Sequence, residues 1–109
     1  MTKLNGYRLM WILLMFDLPV KSAEERKAAT KFRVYLLDQG FEMAQLSVYM
    51  RYCSGKPEAT AHIKRIKQRI PGGGKVDILC FTDKQYEQII SFDLGSRKER
   101  KNPSQYLLF

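Results

Sequence analysis

The sequence is poor in the residues that most often build catalytic or cross-linked sites: 109 residues contain one histidine, His62, one tryptophan, Trp11, and two cysteines, Cys53 and Cys80. Two cysteines this far apart give neither a disulfide scaffold nor the clustered spacing of a zinc site, which points to a reduced, cytoplasmic setting. A lone histidine excludes a histidine acid/base pair within one chain. His62 also lies among Lys64, Arg65, Lys67 and Arg69, far in sequence from any strained serine turn of a Ser-His-Asp triad. Long apolar runs are missing too. Leu9-Met10-Trp11-Ile12-Leu13-Leu14-Met15-Phe16 is too short to cross a bilayer, and it ends in Asp17 without a small-residue cleavage site, so neither a membrane span nor a signal peptide is expected. The triple glycine Gly72-Gly73-Gly74 lacks the Gly-Lys-Ser/Thr ending of a phosphate loop and precedes a strand pattern, so it reads as a linker.

What is present fits one domain, residues 1–95, followed by a basic and apolar tail, residues 96–109. A chain of this length hides only about 60 to 70% of its unfolded surface, so a partner subunit would add stability. Nineteen Lys and Arg against eleven Asp and Glu leave a net charge of +8, which favours a polyanionic partner, nucleic acid first.

The apolar run over residues 9–16 has strand length and stops at Asp17-Leu18-Pro19. Ser22 and Glu25 form a capping box that starts a helix; Ala29, Phe32 and Leu36 give it a core face, Arg26, Lys27, Lys31 and Arg33 its charge, and Gly40 its end. Over residues 41–52 the period becomes two, with a tight connection near residues 44–46, which reads as two strands. A second helix follows Pro57 with the stripe Ala59, Ile63, Ile66, Ile70; residues 76–82 read as a strand, 83–88 as a turn or short helix and 89–94 as a last short strand.

The order βαββαβ plus one strand predicts an α+β sandwich, two helices on one face of a largely antiparallel sheet. The first strand does not alternate, so both of its faces call for burial, while two helices cover only one. A second copy of the chain is the simplest lid and predicts a homodimer; a C-terminal tail folded over the strand is the alternative.

Asp17 closes that stiff strand. Two copies across a twofold axis would pair two carboxylates, a donor set suited to Mg²⁺ or Mn²⁺ acting on a phosphodiester, although an aspartate before Leu-Pro also serves as a plain turn residue. Residues 56–75 hold six basic groups against one acid, Glu58, so Lys64, Arg65, Lys67 and Arg69 form a positive stripe for phosphate contacts. A solvated helix face is the alternative reading of the stripe. No segment matches the aromatic strand of an RNA-recognition motif, which favours backbone binding over base reading.

Phe16-Asp17-Leu18-Pro19, Gln45-Leu46-Ser47-Val48-Tyr49-Met50-Arg51 and Thr82-Asp83-Lys84-Gln85-Tyr86, in this order, resemble the CRISPR-associated protein 2 family over residues 9–94. Lys31-Phe32-Arg33 with Leu36-Leu37, and His62-Ile63-Lys64-Arg65, resemble its branch found with single-effector (type II) systems. The resemblance implies a ferredoxin-like fold, a homodimer, and a part in spacer acquisition as a bridge between dimers of the CRISPR-associated protein 1 integrase, lying along double-stranded protospacer DNA. It also implies metal-dependent cleavage of RNA or DNA, with Asp17 as catalytic residue and ligand for Mg²⁺ or Mn²⁺, and it places Lys21 and Arg26 where relatives touch nucleic acid. Tyr106, Leu107, Leu108 and Phe109 are costly to expose and suit docking on the integrase or back onto the dimer. An unrelated ferredoxin-like RNA-binding or regulatory module is the competing reading.

Overall fold

The structure, a computed structural model, describes residues 9–95. Its elements run β1 (Met10–Asp17), α1 (Ala23–Asp38), β2 (Glu42–Gln45), β3 (Val48–Cys53), α2 (Lys56–Lys67), β4 (Lys75–Thr82) and a one-turn α3 (Asp83–Tyr86). The four strands form one antiparallel sheet in the order β2-β3-β1-β4, the α+β arrangement expected of βαββαβ.

Alternation along β1 decides the layering. Ile12, Leu14 and Phe16 are buried with Ala29, Phe32 and Leu36 of α1, Ala59 and Ile66 of α2, and Tyr49 and Cys53 of β3. The intervening side chains, Trp11, Leu13, Met15 and Asp17, project from the opposite face, where their register partners are Tyr52, Met50 and Val48 on β3 and Phe81, Leu79, Asp77 and Lys75 on β4. That second face is apolar and open: Met15, Tyr52 and Leu79 are all exposed. The described residues therefore bury the first strand on one side only, the imbalance its unbroken apolar run foretells.

Local chemistry fixes the helix ends. Ser22 Oγ accepts from Glu25 N at 3.0 Å, and the Glu25 carboxylate accepts from Ser22 N and Lys21 N, both at 2.9 Å. At the other end Gly40, with φ of 89°, makes the left-handed turn, as Gly40 N donates to the Leu37 carbonyl and Phe41 N to that of Leu36.

Two sequence expectations change, the last strand and the exposure of Arg33. Residues 89–94 pair with no strand in the single copy; α3 stacks its Tyr86 ring on Trp11 of β1 at 4.0 Å, and beyond it Ile90, Phe92 and Leu94 stand out into solvent. The outer edge of β4 stays unpaired among the described residues, so after α3 the segment does not return to it as a strand. Arg33, assigned to the charged surface of α1, is buried at 4% exposure. His62 is buried as well, its ring edge-on to Phe41, so it belongs to the core margin. The expected tail, residues 96–109, with Arg97, Lys98, Arg100 and Lys101 and the candidate docking residues Tyr106, Leu107, Leu108 and Phe109, lies outside the described residues.

Candidate nucleic-acid and metal site

Asp17 is the last residue of β1, exposed, and opposite Lys75 in the β4 register. Lys75 Nζ lies 3.6 Å from the Asp77 carboxylate. The backbone around Asp17 is held from two directions. Phe16 N donates to the Ser47 carbonyl at 3.0 Å, from a turn in which Ser47 adopts φ of 60°. From the other side comes the glycine loop: a Cβ on Gly74 would stand 2.8 Å from the Asp17 carbonyl oxygen and 2.6 Å from Leu18 Cδ2. Only a residue without a side chain lets the chain leave α2 and pass this close to the end of β1. The triple glycine, read from sequence as a linker, is thus a part that seats Asp17.

Lys21 and Arg26 flank the loop after Asp17; Lys21 is exposed and Arg26 is exposed enough to keep its charge toward solvent. Arg26 Nη1 donates to the carbonyls of Val20 at 3.1 Å and Lys21 at 2.9 Å, bracing the loop. The stripe Lys64, Arg65, Lys67 and Arg69 is also exposed, and it belongs to the helical layer. Arg65 Nη2 sits 3.2 Å from His62 Nδ1, and the Arg69 guanidinium lies over the Tyr35 ring at 4.7 Å from its centroid. The Asp17 side chain projects from the other face of the sheet, so the structure does not gather the stripe and the carboxylate into one pocket.

A divalent ion is implied by the resemblance, and the donor set is its test. Among the described residues no three His, Cys, Asp or Glu side chains come together as a metal site. Asp17 fits Mg²⁺ or Mn²⁺ only as the carboxylate share of a site whose other oxygens come from water, phosphate or a second copy, which is how Mg²⁺ is commonly held. Other catalytic groups are muted. Burial pushes the Cys53 thiol up, so it is not a ready thiolate. Burial, then the Arg51 and Arg65 charges, pull His62 down, with Glu58 acting weakly the other way.

Sequence reasoning missed Arg33, Ser47 and Gly74. Arg33 and Ser47 line a cavity of about 170 Å³ with Asp17. The sequence signal for Arg33 is its spacing, four residues after Ala29 and three before Leu36 on the core stripe, and its charge argues the other way.

The comparisons with known proteins agree with one another and with this geometry. The family model for CRISPR associated protein Cas2 matches residues 10–89. A protein of Paracidovorax avenae named CRISPR-associated endoribonuclease Cas2 is 53% identical over 97% of this chain and 99% of its own length. One of the same name from Flavobacterium psychrophilum is 44% identical over 97% of this chain and 92% of its own. The crystal structure of Streptococcus pyogenes Cas2 at pH 6.5 superimposes with a TM-score of 0.55 at 19% identity, covering 75% of this chain and 98% of that one, a likeness of fold. With the family model spanning the whole sheet and both helices, and with relatives this similar end to end, the chain belongs to the CRISPR associated protein Cas2 family.

Proposed function

We propose that the protein acts in CRISPR spacer acquisition as a homodimer that bridges integrase subunits of the CRISPR-associated protein 1 class and lies along protospacer duplex, with metal-dependent phosphodiester cleavage as a second capacity. The observation that carries this reading is the open sheet face ending in Asp17. Closing two such faces on each other covers Met15, Tyr52 and Leu79, and it brings two copies of Asp17 to the same side of the contact. The exposed alternation of Ile90, Phe92 and Leu94 suits a strand added to the partner's sheet edge, where the missing ladder would be supplied.

Bridging ranks above cutting because the basic stripe sits on the helical layer, away from the carboxylate. A duplex held by Lys64, Arg65, Lys67 and Arg69, with Lys21 and Arg26 at the loop, is bound through its phosphates without being aimed at Asp17. Cleavage is supported by the relatives named as endoribonucleases and by the seating of Asp17. Mg²⁺ or Mn²⁺ held there would activate water and steady the leaving oxygen. The residues' own contribution is to hold one carboxylate per copy rigidly at the rim of the contact. In a reconstituted assay Asp17→Ala should abolish metal-dependent cleavage of RNA or DNA and spare spacer integration. Loss of integration by a folded, dimeric Asp17→Ala protein would reverse the ranking.

A further inference from the structure

A groove runs between α1 and the residues that follow α2. Lys31 and Tyr35 of α1 form one bank, Gln68 and Arg69 the other, and Phe32 and Ile70 belong to its apolar lining, around about 250 Å³. That is about eight waters at ~30 Å³ each, the scale of a single nucleotide. The lining holds two cations and no carboxylate. Three other cavities of the fold each carry one or two: Asp17 beside Ser47, Glu24 and Glu25 beside Leu18, and Glu42 and Glu58 beside Trp11. Among the described residues neither the Lys31 ammonium nor the Arg69 guanidinium has a hydrogen bond or an ion pair. Arg69 instead lies over the Tyr35 ring, 4.7 Å from its centroid. Two like charges lining one hollow without a counter-charge repel each other, and an anion between them removes that cost.

We propose that this groove takes one unpaired nucleotide of an RNA or DNA strand, its base stacked on the Arg69–Tyr35 pair and its phosphate held by Lys31. Such a site rests on and deepens the nucleic-acid reading given above, which gives phosphates to the α2 stripe and no place to a base. A bare phosphate accounts for the cations and leaves the ring and the apolar lining without a role; a nucleotide accounts for both. Guanidinium planes and aromatic rings both stack unpaired bases, and every base has a π-face, so the contact asks for no particular sequence. The Gln68 amide offers both donor and acceptor to the edge of any base. A paired base keeps its faces inside the duplex stack, so only a strand end, a loop or a single strand reaches the groove. The route there is short: Gln68 follows Lys64 by one helical turn, so the groove opens at the end of the basic stripe.

The test uses the full chain in metal-free buffer, so that cleavage plays no part. Three labelled ligands are titrated by fluorescence anisotropy: a blunt duplex, the same duplex with a short single-stranded extension, and that duplex with the extension made abasic. Extensions of RNA and of DNA run in parallel, and a preference with either supports the groove and names its strand. Stacking of one base predicts about tenfold tighter binding of the base-bearing extension than of the abasic one. Arg69→Lys keeps the charge and loses the plane, and Tyr35→Leu loses the ring. Each, checked for native circular dichroism, should cut that ratio to about twofold or less. Lys31→Gln should weaken both extended ligands together, as loss of a phosphate contact does, and unchanged binding overturns the role of Lys31. A ratio of one in the wild type overturns the proposal whether or not the variants fold, and a full ratio kept by either folded variant overturns the stacking assignment. Failure of the blunt duplex to bind, with the ratio intact, supports the groove and sinks the duplex-bridging reading instead. Binding of none of the three overturns both.

Discussion

Leu79 offers a direct measure of the contact between copies. It lies midway along the edge strand β4, on the open sheet face opposite Leu13, and is 52% exposed, so about half of its side chain is left to bury. Full burial of a leucine contributes about 1.5–3 kcal/mol, so the remaining half is worth about 1 kcal/mol per copy. The twofold counts it twice. Leu79→Ala should therefore weaken the dimer by about 2 kcal/mol, roughly 30-fold in dissociation constant. Leu79→Asp adds the cost of taking a carboxylate out of water, several kcal/mol per ion, and should leave monomers at micromolar concentration. Because the side chain faces outward in a single copy, monomer stability should change by less than about 0.5 kcal/mol for the alanine variant. Sedimentation velocity across a hundredfold concentration range measures the first quantity and thermal melts at low concentration the second. If both variants self-associate as the wild type does, the sheet face is not where the copies meet, and the approach of two Asp17 residues goes with it.

Other outcomes follow from features of the same fold. Gly74→Ala forces a Cβ against the Asp17 carbonyl and Leu18, which should cost about 1–3 kcal/mol of stability in a denaturant melt and reduce metal-dependent cleavage while duplex affinity holds. Changing Lys64, Arg65, Lys67 and Arg69 to Glu should weaken duplex binding for all sequences and flatten the slope of log affinity against log salt by about 0.9 for each phosphate no longer neutralised; an unchanged slope removes α2 from the interface. His62 has its folded pKa lowered, chiefly by burial and then by Arg51 and Arg65, so below about pH 6.5 the unfolded chain takes up more protons than the folded one. Its contribution to stability is therefore complete above that pH and is lost as pH falls through the window beneath it. A His62→Gln protein should show a flatter denaturant midpoint against pH in that range.

Much of the fold was legible because its signals are local. The apolar run of β1, the Ser22 and Glu25 capping box, the glycine after α1 and the period-two stretch around Tyr49 each report on a few neighbouring residues. The surplus of apolar surface on β1 was legible for the same reason, and it appears as the open face with Leu79. What sequence could not show is what depends on distant segments meeting. Arg33 reads as a surface charge until Tyr49 and the Ser47 turn are laid beside it, and the glycines of residues 72–74 read as slack until Gly74 is found against Asp17. The strand expected over residues 89–94 fails for a related reason: alternation shows what a segment can pair as, while pairing requires the segment to reach an edge, and after α3 this one joins neither edge of its own sheet.

The bare backbone of Gly74 ties two parts of the molecule that face different ways. The loop that leaves the basic helix is pinned to the strand end carrying Asp17, so the interval between charged helix and carboxylate works as a fixed ruler. Swapping the loop for a longer one should change that interval and loosen the seat of Asp17, while every residue of the basic stripe stays the same.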